Sequence, residues 1–347
     1  MTRRLDGYRV WRVAGVETRR IDLGVALALL GVAAVLIVAS LTVGTTPVAL
    51  SDLLPGQGMD DAQRYAALTL RLPRAMTGFL AGAAIAASGA MLQSLTRNPI
   101  ADPGLLGLAQ GSLLAILLAL ILLTNLPQGW VPLIGCAGGL GVALFLARVT
   151  AQSRTGDALA LLLLGLAVET TLSAITSIVI LYAPTDLSFN VSVWLAGSLF
   201  QAGWGSLGAM LPWLALSLPL LFAAGPMLRL LELGEEHAHA LGLSLRAARL
   251  TVLLTTVLLT SAAVTVTGPL VFLGVMAPHI AGALLPSSGR ARLLLSGLVG
   301  GIFVVGADCL SRSLGTEIGL PIGLCLTLLG VPLFIVTLRL RMLRRAM

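Results

Sequence analysis

The chain has 347 residues, 57% of them hydrophobic and only 11% charged, with a mean hydropathy of +0.98. Soluble domains carry roughly 25% charged residues, so this composition excludes an ordinary water-soluble fold. All 22 basic residues are arginine and the formal net charge is +7; without lysine the chain has neither a P-loop phosphate site nor Schiff-base chemistry of its own.

In chain order, segment 1–21 is polar and arginine-rich, carrying Arg3, Arg4, Arg9, Arg12, Arg19 and Arg20. Apolar runs of about 17–25 residues then recur, each long enough to cross a ~30 Å hydrocarbon core. They lie near 22–43, 73–95, 107–124, 131–147, 158–182, 206–225, 250–267, 270–285, 293–311 and 320–338. The first exceeds the roughly 7–15 apolar residues of a cleaved signal, so it reads as a spanning helix. The alternating ten-residue segments of a β-barrel are absent. These features predict an all-α polytopic membrane protein, with a ten-helix domain over 22–338 and an arginine-rich tail at 339–347.

Arginine sets the expected orientation. Both ends of the chain are arginine-rich and belong in the cytoplasm by the positive-inside rule, which requires an even number of spans. Threading ten spans from that start leaves eighteen arginines inside and four outside: Arg64, Arg71, Arg74 and Arg312. Arg71 and Arg74 bracket the "RLPR" string at the mouth of the second helix. A positive outer patch suits an acidic partner.

Two polar elbows interrupt the apolar text. "LTRNPIADPGLLG", residues 95–107, is expected to be the cytoplasmic turn between the second and third spans. Pro99 and Pro103 lack backbone donors and separate one helix from the next. Asn98 and Asp102 offer caps for a helix start. "TGPLVFLGVMAPHIAG", residues 267–282, repeats the theme on the outer side in this threading. Related segments in opposite orientation are expected of an inverted-repeat transporter. Irregular backbone at membrane depth must be received by protein or a wet cavity, which puts the elbow beside a pathway.

The remaining polar residues sort by chemistry. Glu169 lies in mid-span, where a charge costs about 2.5–3.5 kcal/mol, so it must face protein or water. It is read either as a pathway residue or as a protonated carboxyl bonded to a neighbouring helix. Asp308 is placed to pair with Arg312 four residues on. His237 and His239 in "EEHAHA" point away from each other on a helix, which favours a solvated helix over a metal site. Cys136, Cys309 and Cys325 read as small packing residues.

The block "RLPRAMTGFLAGAAIAASGAMLQSLTRNPIADPGLLGLAQGS" from Arg71 to Ser112 resembles the signature of the FecCD family of ABC-transporter permeases. The resemblance continues through "WLAGSLF" (194–200), "LELGEEHAHALGL" (231–243), "GPLVFLGVMAPHIA" (268–281), "ADCLSR" (307–312) and "LPIGLCLTLLGVPLFIVTLRLR" (320–341). It implies the type II importer permease fold with inverted repeats, and a subunit that imports ferric siderophores. Cobalamin, haem or another metal chelate is the alternative cargo, and an ion-coupled secondary transporter is the rival class. It also implies a second permease subunit, identical or paralogous, two cytoplasmic ATPase subunits that hold ATP and Mg, and a periplasmic or lipid-anchored binding protein. The chain itself is expected to bind no cofactor, metal or nucleic acid, and to sit in a bacterial inner membrane with both termini cytoplasmic. In the family, arginines at the positions of Arg71, Arg74 and Arg312 meet the binding protein. The loop at about 227–249 resembles the ATPase-coupling region, matching at Gly234, Glu235, Ala238, Leu241 and Gly242. Two departures stand out: Gly282 replaces the usual basic residue after "PHIA", and "LPSSGRAR" replaces an acidic and histidine-bearing turn. The inner gate falls nearest "QSRTGDALA".

Overall fold

A computed structural model describes residues 2–3, 9–13, 16–53, 58–123, 126–127, 130–152, 158–183, 191–314 and 320–346. The helices are α1 (Arg20–Thr42), α2 (Asp61–Thr96), α3 (Leu108–Leu122), α4 (Val131–Gln152), α5 (Ala158–Leu181) and α6 (Trp204–Glu232). They continue with the short α7 (Glu235–Ala240), then α8 (Leu245–Thr267), α9 (Leu273–Leu284), α10 (Gly289–Ser313) and α11 (Ile322–Ala346). Eight are long and apolar enough to cross a membrane, and α3 and α9 are shorter apolar helices. Together they account for the ten predicted spans. Most of the gate segment "QSRTGDALA" lies outside the described residues.

Both chain ends depart from the expected plain segments. Thr2–Arg3, Arg9–Val13 and Val16–Arg19 form a small antiparallel sheet, with Arg12 opposite Glu17 in register. At the other end α11 runs on to Ala346 without a break at 338. Helix-forming Leu, Arg and Met fill that stretch, and no Gly or Pro stops it.

α2 is the central post. Of its most apolar stretch 78% is buried, against 17% for α1 and 11% for α5, whose leucines and valines are left for lipid or a neighbouring chain. Small residues explain the difference, because they let backbones approach where no water exists to drive association. A Cβ on Gly82 would meet the Gly300 carbonyl at 2.5 Å, and one on Gly78 would meet Leu199. Hydroxyls join the posts: Ser112 and Ser261 lie 2.8 Å apart, and Thr260 donates to Ser88 at 3.3 Å. α2 begins in a capping box, where the Asp60 carboxylate accepts from the Gln63 N–H at 2.6 Å and the Gln63 side chain accepts from the Asp60 N–H. It passes through a π-helical segment, Tyr65–Arg71, before settling into regular helix.

Contacts between helix ends sort the bundle. Arg19 reaches the Pro286 carbonyl, and Arg292 reaches Glu232, at the end that carries the start of α1. Arg312 reaches Ser40, and Ile322 donates to the Gly197 carbonyl, at the opposite end. The arginines divide as the threading predicted: Arg97, Arg229, Arg249, Arg290 and Arg292 share the first end, and Arg71, Arg74 and Arg312 share the second.

Candidate translocation and docking sites

The two elbows meet. They were expected on opposite sides, yet a Cβ on Gly274 would strike the Asp102 carboxylate at 2.5 Å and the Pro103 ring at 3.0 Å. Length explains it: at 1.5 Å per residue, α3 and α9 rise about 22 and 18 Å, too little for a ~30 Å core. Each elbow therefore turns back into the bundle and starts a half-length helix there. The starts are alike, with Gly107 (φ 72) before α3 and Phe272 (φ 70) before α9, both left-handed. Glycine adopts that conformation freely; phenylalanine does so at a cost of about 1–3 kcal/mol.

Inside the first elbow, Asn98 accepts from the Ile100 N–H at 3.0 Å and Asp102 from the Gly104 N–H at 2.7 Å. Both are turns closed two residues on. Neither side chain caps the helix that follows it, α3, as the sequence had suggested. Asp102 instead faces the start of α9. It is buried, and its second oxygen faces the Gly274 and Val275 N–H groups of α9 without a hydrogen bond of full geometry. An anion at a helix N-terminus answers both its free donors and its dipole. Pro103 is buried beside it, and Pro99 is exposed on the turn.

Between the half-helices lies a cavity of about 250 Å³, lined among others by Ile85, Asp102, Gln110, Glu169, Thr260 and Phe272. Glu169 is half-buried on this wall. α5 thus brings its one acidic residue to the place where the elbows bring their polar groups.

The opposite end holds the three arginines predicted to dock a partner, and they are engaged with one another's surroundings. Asp308, with 1% of its side chain exposed, takes Arg74 at 2.7 Å and Arg312 at 3.0 Å. The predicted pairing of Asp308 with Arg312 is therefore present and shared. Arg71 lies at the expected end but is not presented there: it is buried and donates to the Leu41 and Thr46 carbonyls at 2.6 Å each. Arg312 also donates to Ser40 and Val43. The physical reason is the end of α1, whose last carbonyls lack helical donors and find guanidinium groups. Arg74 and Arg312 keep 18% and 12% of their side chains exposed, and Arg64, ten residues before Arg74, is exposed.

At the first end, Gly234 (φ 105) and Gly242 (φ 86) bracket α7 in backbone that favours glycine. Ala238 is fully buried, whereas Leu233, Leu241, His237 and His239 are exposed. Glu235 pairs with Arg249 at 2.7 Å. Among the described residues no group of three metal-ligating side chains occurs.

Sequence reading missed a chain of polar contacts that leads inward from this loop. Glu232, the last residue of α6, accepts from Arg292 and from the Ser94 hydroxyl, at 2.9 Å each. Arg292 also donates to the Gln93 side-chain oxygen at 3.0 Å, and the Gln93 amide donates to the Gly274 carbonyl at 3.1 Å. The signal that could have found it is a lone amide in an apolar helix, together with a proline four residues after a glycine.

Ten apolar helices, two of them half-length and opening on a shared cavity, define a polytopic helical membrane protein with the architecture of transport proteins. Comparison with known proteins makes the class particular: the chain belongs to the FecCD transport family, matched over residues 32–340. It is 33% identical over 296 residues to the Fe(3+) dicitrate transport system permease protein FecD of Escherichia coli (strain K12), covering 85% of this chain and 92% of that one. It is 32% identical over 282 residues to the cobalamin import system permease protein BtuC of Halobacterium salinarum, covering 81% and 75%. A solved structure described as an inward-facing metal-chelate type ABC transporter matches with a TM-score of 0.80 at 26% identity, over 91% of this chain and 99% of that one. The fold is that of a type II ABC importer permease, a membrane-spanning transport subunit.

Proposed function

We propose that the chain forms half of the pore of an ATP-driven importer that moves ferric-siderophore complexes across a bacterial inner membrane. The observation that carries this reading is the family match over residues 32–340, with relatives named for Fe(3+) dicitrate transport in one bacterium and Fe(3+)-citrate import in another. A second permease subunit completes the pore, and two ATPase subunits supply ATP hydrolysis, with Mg, at the end bearing both termini, which faces the cytoplasm. A periplasmic or lipid-anchored binding protein delivers cargo at the opposite end, where Arg74 and Arg312, of the expected set Arg71, Arg74 and Arg312, offer positive charge to acidic side chains. Arg71 serves that face indirectly by holding the end of α1. The segment 227–249, through α7 with Glu235, Ala238 and exposed Leu241, seats in the ATPase, and Glu169 lines the pathway. The elbow of Asn98, Pro99, Asp102 and Pro103 is a pivot that does not read cargo.

Relatives named for cobalamin and hemin favour a second cargo reading, another metal chelate on the same machinery. The test is uptake in cells lacking their own chelate permeases, with the chain co-expressed with its ATPase and binding protein. Ferric-siderophore uptake that collapses when the ATPase is removed is the expected result. Accumulation of cobalamin or haem alone would move the cargo, and uptake persisting on a proton gradient without ATPase would defeat the importer reading. Replacing Arg74 and Arg312 with Glu should abolish co-purification of the binding protein and also lower thermal stability, because both close on buried Asp308, whereas a variant confined to Arg71 should lower thermal stability with a smaller loss of co-purification.

A further inference from the structure

The helix α9 contains Pro278, and proline has no N–H to donate four residues back. The carbonyl that loses its helical partner is that of Gly274, in the first turn of the half-helix at the cavity. In a water-free core such a carbonyl must find another donor. It finds the amide of Gln93, at 3.1 Å, projecting from the central post α2. Gln93 is itself buried, and its oxygen is held by Arg292 at 3.0 Å. The guanidinium of Arg292 then reaches Glu232 at 2.9 Å, two residues before Gly234 at the start of α7. Arg292 occupies the first turn of α10, where the helix dipole disfavours a cation, so Glu232 is the partner that makes its placement tolerable.

We infer that Gln93 and Arg292 are positioning residues for transport: they link the α7 loop to the first turn of α9, and so set the shape of the cavity when the loop moves. The inference rests on the reading of α7 as the ATPase contact. The link is continuous and short, and each join is a hydrogen bond between named atoms, with one charged pair at the loop end. Its far end is the turn on which Asp102 also bears, so a pull on Gly274 is felt by both elbows at once. The close fit of Gly89 against the Gly274 carbonyl leaves that turn little room to move independently of α2. The loop end of the link, with Arg292 and Glu232 at 24% and 26% exposure, costs less to break than the buried end.

The experiment uses the whole importer, purified with its ATPase in lipid nanodiscs, with Cys136, Cys309 and Cys325 replaced by Ala. Val271, exposed and lining the cavity, becomes the probe as Val271→Cys, and its labelling rate by a maleimide is measured with and without ATP. The expected result is an ATP-dependent change in rate that falls about tenfold in Gln93→Leu, the scale of one lost bond to a charge-assisted network, while ATP hydrolysis continues. The double variant Gln93→Leu with Arg292→Leu should respond like Gln93→Leu alone, since the join to Gly274 is already lost there, and Arg292→Leu alone should lose less because Ser94 still bonds Glu232. Pro278→Ala separates linkage from mere satisfaction of a carbonyl, because it returns the missing N–H to Gly274. In the Gln93→Leu background it should recover thermal stability without recovering the ATP response. Full recovery of the response, additive losses in the double variant, or an unaltered response in Gln93→Leu would each overturn the inference. Gly234→Val keeps the two readings apart. If it leaves the ATP response intact, α7 is not the contact and the linkage falls with it; if it removes the response while Gln93→Leu does not, only the linkage falls.

Discussion

The two ends of the bundle solve the problem of charge in opposite ways. At the end away from the termini, Arg74 and Arg312 close on a single buried carboxylate, and Arg71 and Arg312 spend their donors on the last carbonyls of α1. At the terminal end, Arg292–Glu232 and Arg249–Glu235 are pairs with a quarter to a third of each side chain in the open. A buried cluster is held by the cost of leaving any member alone, and an open pair by little more than its geometry. The first end is thus the rigid one, and the second is the one whose pairs break at least cost.

Breaking the rigid end should have the largest effect. Asp308→Ala leaves two guanidinium groups without their shared anion and should destabilise the chain by about 3–5 kcal/mol. Thermal unfolding in detergent would show this, with Glu232→Ala costing visibly less. Equal losses in the two variants would erase the contrast.

Overpacking the elbow junction comes next. Gly274→Ala places a methyl against Asp102 and Pro103, and a cost of about 1–3 kcal/mol is expected, with transport lost out of proportion to stability. Reconstituted uptake at a temperature where the variant stays folded separates the two losses.

Asp102→Ala removes the turn bond to Gly104 and the carboxyl that faces the start of α9, and should cost about 0.5–2 kcal/mol. Uptake of two chelates differing in size and charge should slow in parallel. A several-fold change in their ratio would show that the elbow reads cargo.

The smallest effect belongs to the open pair. Arg249→Ala should shift stability by no more than about 1 kcal/mol, and less at high salt, because both partners are about a third exposed. A loss as large as that of Asp308→Ala would mean that this end is as rigid as the other.

Much of the fold was legible because membrane helices are declared by length and polarity alone. The ten apolar runs became eight long helices and two short ones, and the division of arginine between the ends followed from the positive-inside rule. The elbow sequences were visible too, since proline beside asparagine, aspartate and glycine has few other uses. Their meeting was not visible. A threading assigns each elbow to a side, and only the shortness of α3 and α9 reveals that both turn back toward the middle. The N-terminal strands escaped for a related reason: Arg9–Val13 and Val16–Arg19 show no apolar run, and their pairing is a property of two segments together.

Sequence by itself determined the solvent, the number of spans, the family and the residue types that any site must use, because each depends on runs and strings within the chain. Tertiary structure decided who partners whom. Arg71 and Asp102 were both recognisable as polar groups in an apolar chain, but a desolvated charge takes the nearest free dipole. For Arg71 that is the end of α1, thirty residues earlier, and for Asp102 the start of α9, more than 170 residues later. Those distances exist only once the helices are packed.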